Sequence, residues 1–270
     1  MSNLVVIQMN NIKWYLIVFL SAWCSQINSQ ILQEKNFISD FDQSKQNFIE
    51  ILPQAFDEHQ SHHLIIALHG HGSDRWQYAT WDRDECNAFR NFALQNEMIA
   101  VTPDYRGKTS WMNYAAERDI IQIIHSYKTN FRIEKVFIVG GSMGGTGALT
   151  FAALHPDLVD GVTAMNPLAN HLEYNRFQDA IARSFGGWKE QIPEEYKKRS
   201  AEYWPECFIM PVAITVGLKD TIVPPKSILR FANVLKAIDK DVYLNVDSLG
   251  GHETNYEQAM NALMYMYNKK

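Results

Sequence analysis

Cysteine is scarce. The 270 residues hold three, Cys24, Cys86 and Cys207, so the chain can close one disulfide at most. Neither charge sign dominates: 25 basic side chains stand against 30 acidic ones, a net charge of −5, and no nucleic-acid partner is expected. Internal repeats and low-complexity linkers are absent, and no apolar run is long enough to span a bilayer comfortably. The nine histidines are scattered, apart from His59, His62 and His63 and the pair His69 and His71. A metal site there is not favoured, because no Cys or carboxylate joins them at ligand spacing, and no cofactor is expected. What the chain does have is an ordinary hydrophobic content of 46%, enough for a sizeable core in one large domain.

Residues 12–23 form a short apolar run behind Lys13. This pattern matches a secretory signal, with Met9 as a plausible start and cleavage after Cys24 or Ser29. Trp23 occupies the place where a lipoprotein signal needs a small residue, which argues against lipidation. The expectation is therefore a leader over residues 1–29, a single domain over 30–270, and a secreted or periplasmic protein without stable membrane insertion. An uncleaved anchor is the alternative. After export, Cys86 and Cys207 either pair or remain as two buried thiols; pairing requires Cα atoms within about 7 Å.

From residue 48 onward, short apolar runs alternate with helix-like segments. Strands are expected at Phe48–Leu52, Leu64–Leu68, Met98–Thr102, Val136–Val139, Leu158–Met165, Val212–Val216 and Val242–Val246. Helices are expected over 86–96, 113–128, Thr146–Leu154, Lys226–Ile238 and Thr254–Tyr267. Uninterrupted runs such as Leu64–Leu68 suit strands covered on both faces. The alternation predicts an α/β fold with a mostly parallel, doubly wound sheet. Residues 168–208 break the rhythm with aromatic and charged side chains. They read as a lid-like helical insertion over the site, or as a connecting helix pair with its own small core.

The organising stretch is Val136–Ala148, where an apolar strand runs into Gly140-Gly141-Ser142-Met143-Gly144-Gly145 and then a helix. This is a G-x-S-x-G turn in strand-to-helix context. A phosphate-binding loop would need Lys followed by Ser or Thr, and none follows. A dinucleotide-binding turn would need a glycine spacing that Gly140, Gly145 and Gly147 do not provide. A serine there is held in a strained turn that leaves no room for flanking side chains, with a helix N-terminus behind it to receive negative charge.

Other strand ends carry reactive residues too. His69-Gly70-His71-Gly72 follows Leu68, Asp220 follows the Val212 strand, and Gly250-Gly251-His252 follows the Val242 strand. The order Ser, Asp, His at strand ends resembles the α/β-hydrolase superfamily over nearly all of residues 45–268. That resemblance implies Ser142 as nucleophile, His252 as general base and acid, and Asp220 as the carboxylate orienting it. It also implies the Met143 N–H as one oxyanion donor and the N–H of His71 as the second, although His71 interrupts the run of three glycines found in some esterases. Asp247, five residues before His252, is the alternative acid. His71 is also a candidate substrate contact. Trp111 is a candidate pocket residue, with simple core packing as its alternative.

The wording Gly-Gly-Ser-Met-Gly-Gly, the His-Gly-His-Gly loop and the compact length are similar to the group of serine esterases that includes feruloyl and acetylxylan esterases, polyester depolymerase-like enzymes and esterase D. In an exported member this implies a small-molecule or polysaccharide-linked ester as substrate. A peptidase similar to the prolyl oligopeptidase catalytic domain is the second reading, although the stretch before residue 45 has no room for the propeller of that family. A non-catalytic hydrolase-like binding protein is the third.

Overall fold

The computed structural model describes residues 31–268. The expected leader and both of its cleavage points lie outside the described residues.

The chain begins with β1 (Ile31–Ile38), β2 (Lys45–Leu52) and β3 (Ser61–Leu68), followed by α1 (Trp76–Thr80), α2 (Asp84–Gln95) and β4 (Ile99–Pro103). Next come α3 (Tyr114–Asn130), β5 (Arg132–Gly141), α4 (Met143–Leu154) and β6 (Gly161–Met165). The remainder is α5 (Gln178–Phe185), α6 (Pro193–Lys198), β7 (Val212–Gly217), α7 (Lys226–Ala237), β8 (Val242–Asp247) and α8 (Tyr256–Asn268). The strands form one eight-stranded sheet in the order β1-β2-β4-β3-β5-β6-β7-β8. The pairs β1/β2 and β2/β4 are antiparallel and all others are parallel.

The inner stretches of the central strands, such as Leu64–Leu68 and Val136–Val139, are apolar without interruption because both faces are covered. In β3, Leu64, Ile66 and Leu68 face one core while Ile65 and Ala67 face the other. In β5, Val136 and Ile138 share the first face, and Phe137 and Val139 the second. The first face is closed by α3, α4 and α7 through residues such as Ile120, Leu149 and Phe231. The second is closed by α2 and α8 through Phe89, Phe92, Leu263 and Met266. Strand β8 lies at the far edge and is only partly buried.

The cysteine alternatives are resolved. Cys86 and Cys207 are both free thiols, the first buried as expected and the second only half-buried. They cannot pair because Cys86 belongs to the α2/α8 layer, whereas the turn holding Cys207 packs on α4 and α7 across the sheet. Burial pushes the Cys86 thiol up to about 12, so it is not a reactive thiolate.

Residues 168–208 contain two short helices, α5 and α6, and several turns. Phe185 packs against the main core and Tyr196 is buried in it, whereas Trp188 and Tyr203 stay exposed. One buried cation fixes the segment to the body. Arg199 donates to the Met112 carbonyl at 2.5 Å and to Glu117 Oε2 at 3.2 Å, and it pairs with Glu195 at 2.5 Å.

Beside that cation, His171 is fully buried against the Trp111 and Phe185 rings. Burial, and then the Arg199 charge, push its imidazole down to about 3, from an ordinary value of 6.5. The ring is neutral in the fold but protonates in the unfolded chain. Its contribution to stability is whole above about pH 6.5 and is lost as pH falls from there, by up to about 1.4 kcal/mol per pH unit. Urea denaturation between about pH 7 and pH 4.5 should show this slope. His171→Phe should flatten it, and an unchanged slope would show that another group is responsible.

Candidate active site

Ser142 stands between β5 and α4 with φ 56° and ψ −121°. A non-glycine residue held there stores roughly 1–3 kcal/mol of strain and persists only if its surroundings fix it. They do so at both ends. The Ser142 N–H donates to the Met165 carbonyl at 2.8 Å, while the Ser142 carbonyl accepts from the Thr146 N–H at 2.9 Å and the Thr146 hydroxyl at 3.0 Å. The glycines are sterically required. A Cβ on Gly140 would lie 2.4 Å from the Gly144 carbonyl carbon, and one on Gly144 would lie 1.9 Å from the Leu68 carbonyl oxygen.

Three distant side chains meet at this turn. Ser142 Oγ lies 2.8 Å from His252 Nε2, and His252 Nδ1 lies 2.6 Å from Asp220 Oδ2. The other Asp220 oxygen accepts the Ile222 and Val223 amides at 2.8 and 2.9 Å, so the nearly inaccessible carboxylate is fixed before it meets the ring. Asp247 is placed elsewhere. It accepts the Leu249 and Gly250 amides at 3.0 and 2.7 Å and Gln258 Nε2 at 3.0 Å, which makes it a shaping residue of the histidine loop.

Neither Gly250 nor Gly251 takes a positive φ. Close contact is what selects glycine at Gly250 and Gly217: a Cβ on Gly250 would lie 2.7 Å from Asp247 Cγ, and one on Gly217 would lie 2.0 Å from the Gly251 carbonyl oxygen.

The loop is also held from below by residues the sequence reading did not single out for a role. Thr254 Oγ1 accepts from Asn166 Nδ2 at 3.0 Å and lies 2.9 Å from Thr215 Oγ1. Asn166 Oδ1 accepts the Gly217 N–H at 2.9 Å. Asn166 itself has a positive φ of 46° at the end of β6, and an Asn-Pro pair closing a strand was the one available signal.

Two amides are candidates for an oxyanion. Met143 is the first residue of α4, so its N–H has no intrahelical partner. The His71 N–H makes no hydrogen bond among the described residues, although the amides on either side of it are engaged. The His71 ring stacks on Phe177 with centroids 4.2 Å apart, and burial lowers its pKa. Trp111 is 1% exposed and packs behind His71 and Phe177 in the main core, one layer back from the cleft wall.

The cleft over Ser142 has a volume of about 290 Å³. His71, Phe177 and Ile222 line it with apolar surface, and Ser73, Gln77, Arg83 and Glu85 with polar groups. Trp81 stands at its rim, 42% exposed. A second, more polar hollow of about 360 Å³ adjoins it, and the two share Arg83, Glu85 and Thr254. Among the described residues, no group of three His, Cys, Asp or Glu side chains could hold a metal ion, and no helix is long and apolar enough to cross a membrane.

The family model described as alpha/beta hydrolase fold matches residues 43–202. The chain belongs to the α/β-hydrolase family.

Solved structures share the fold at low identity. The fluorophosphonate-binding serine hydrolase F of Staphylococcus aureus is 19% identical with a TM-score of 0.69, covering 89% of this chain and 99% of that one. An S-formylglutathione hydrolase of the same organism is 18% identical with a TM-score of 0.67, covering 89% and 100%. The acylaminoacyl peptidase of Pyrococcus horikoshii is 17% identical with a TM-score of 0.70, covering 88% and 41%. The chain spans only 34% to 41% of the length of the larger hydrolases it resembles. No curated protein matches the sequence.

Proposed function

We propose that this hydrolase cleaves carboxylic esters through an acyl-enzyme on Ser142. The observation that carries the reading is the continuous relay from Ser142 Oγ through His252 to Asp220, at 2.8 and 2.6 Å.

The chemistry runs in two halves. His252 Nε2 takes the hydroxyl proton as Ser142 Oγ attacks the ester carbon, and the carbonyl oxygen becomes an anion facing the Met143 and His71 N–H groups. The tetrahedral adduct collapses, His252 protonates the departing alkoxide, and an acyl-serine ester remains. Water then repeats the sequence, with His252 as base, and releases the acid. Asp220 keeps the proton on Nδ1 and stabilises the imidazolium.

Substrate choice is read from the cleft. The apolar side at His71, Phe177 and Ile222 suits an acyl group, with His71 as both backbone donor and ring contact. The polar hollow beyond Arg83 and Glu85 suits a polyhydroxylated alcohol, which supports an ester carried on a polysaccharide. With residues 1–29 removed as a leader, the enzyme acts outside the cytoplasm.

The peptidase reading is second, favoured by the fold shared with the acylaminoacyl peptidase. A panel of p-nitrophenyl, feruloyl and peptide-amide substrates separates the two. Esters should be turned over faster, and faster turnover of peptide amides than of every ester would overturn the esterase reading. Labelling by a fluorophosphonate probe should vanish in Ser142→Ala. Absence of labelling in the wild-type protein would favour a non-catalytic binding role.

A further inference from the structure

We propose that Gln77 is a positioning residue for oxyanion stabilisation: its side-chain oxygen fixes the Gly70 amide and so aims the neighbouring His71 N–H into the cleft. This role rests on the acyl-transfer reading of Ser142 given above.

Consider the peptide units through Gly70 in turn. The unit joining His69 to Gly70 is held at both polar atoms. Its carbonyl accepts the Tyr105 hydroxyl at 2.6 Å, and its N–H donates to Gln77 Oε1 at 2.8 Å. The unit joining Gly70 to His71 is held at one end only. The Gly70 carbonyl accepts the Ser73 N–H at 3.2 Å and lies 2.8 Å from His69 Nδ1. A trans peptide points its N–H opposite its carbonyl, so anchoring the oxygen orients the His71 N–H while leaving it free. The unit joining His71 to Gly72 is fixed through the Gly72 N–H, which donates to the Lys108 carbonyl at 2.8 Å.

Glycine is where this arrangement is weakest. Without a Cβ, Gly70 gives its backbone little steric restraint, and the direction of the His71 amide depends on the planes to either side. Of the anchors on the two planes that meet at Gly70, Gln77 is the one that is a side chain reaching in from a helix. It is 4% exposed and lines the cleft. The His69–Gly70 peptide, held at both polar atoms, is preorganised, and preorganised donors are what stabilise an oxyanion without reorganisation during reaction.

The test uses p-nitrophenyl acetate, an alkyl boronic acid as transition-state analogue, and the full-length protein. Removing the acceptor in Gln77→Leu should lower kcat about 10- to 100-fold, short of the loss of a whole oxyanion donor. KM should stay within about twofold, and boronate affinity should fall with kcat. Gln77→Glu keeps an acceptor oxygen at the same reach and should stay within about threefold of wild type. Gln77→Asn is one methylene too short and should behave like the leucine variant, which guards against a folding defect specific to leucine. Wild-type kcat and boronate affinity in Gln77→Leu would overturn the role, as would equal damage from glutamate and leucine. A wild-type activity that survives Ser142→Ala would instead sink the acyl-enzyme reading, independently of Gln77.

Discussion

His252→Ala should lower kcat on a p-nitrophenyl ester by about 10⁶-fold while leaving the fold intact, the scale seen when a serine hydrolase loses its base. Among the described residues, His252 Nε2 is the one hydrogen-bond partner of the Ser142 hydroxyl, at 2.8 Å. His71, the other imidazole lining the cleft, is stacked on Phe177, and its buried Nδ1 has no partner among the described residues. Asp220→Asn should cost less, about 10⁴-fold, by presenting a donor where Nδ1–H needs an acceptor. Asp247→Asn should fall far short of either, because its carboxylate serves the Leu249 and Gly250 amides. The measurement is single-turnover and steady-state kinetics on the three variants. A loss below about 100-fold in His252→Ala would remove it as general base.

Gly144→Ala should destabilise the protein by about 4 kcal/mol or more, at the exceptional end of single-residue effects. The added carbon would sit 1.9 Å from the Leu68 carbonyl oxygen and 2.8 Å from that of His69. Both are main-chain atoms at the end of a central strand, and Leu68 is already paired with Gly140 in the sheet. Neither atom can swing aside as a flexible side chain would, so α4 or β3 must shift as a body. Gly251→Ala provides the contrast: its Cβ would meet nothing within 4 Å and its φ is not positive, so stability should change by less than about 1 kcal/mol. Chemical denaturation of the two variants decides the matter. A Gly144→Ala protein as stable as wild type would mean that the elbow is more pliant than its contacts imply.

The parallel core of the sheet was legible because its strands are apolar on both faces, and seven of the eight strands stand where runs such as Leu64–Leu68 and Val212–Val216 mark them. The eighth, β1, escaped. Its sequence Ile-Leu-Gln-Glu-Lys-Asn-Phe-Ile is mostly exposed and alternates only weakly, because it pairs at the rim with one neighbour. Helix α1 escaped as well, being five residues long inside a loop rich in Gly, Ser and Asp. At the site, the sequence could mark the residues that end strands, Ser142, Asp220 and His252. It could not show that Thr146 braces Ser142, that Asn166 and Thr254 brace the histidine loop, or that Gln77 fixes the Gly70 amide. The Asn166–Thr254 bond joins residues 88 positions apart, which no local spacing encodes. Trp111 shows the converse: an aromatic residue near a strand end reads as a pocket wall until its 1% exposure puts it in the core.

The packing of Gly144 on the carbonyls of Leu68 and His69 means that the Ser142 turn and the loop carrying the His71 amide share a single wall. A movement in one is geared to the other, so the distances that set the chemistry shift together or not at all. Drift toward new substrates then has to be absorbed at the periphery, at Trp81, Arg83 and Ile222, where side chains can change without touching that wall.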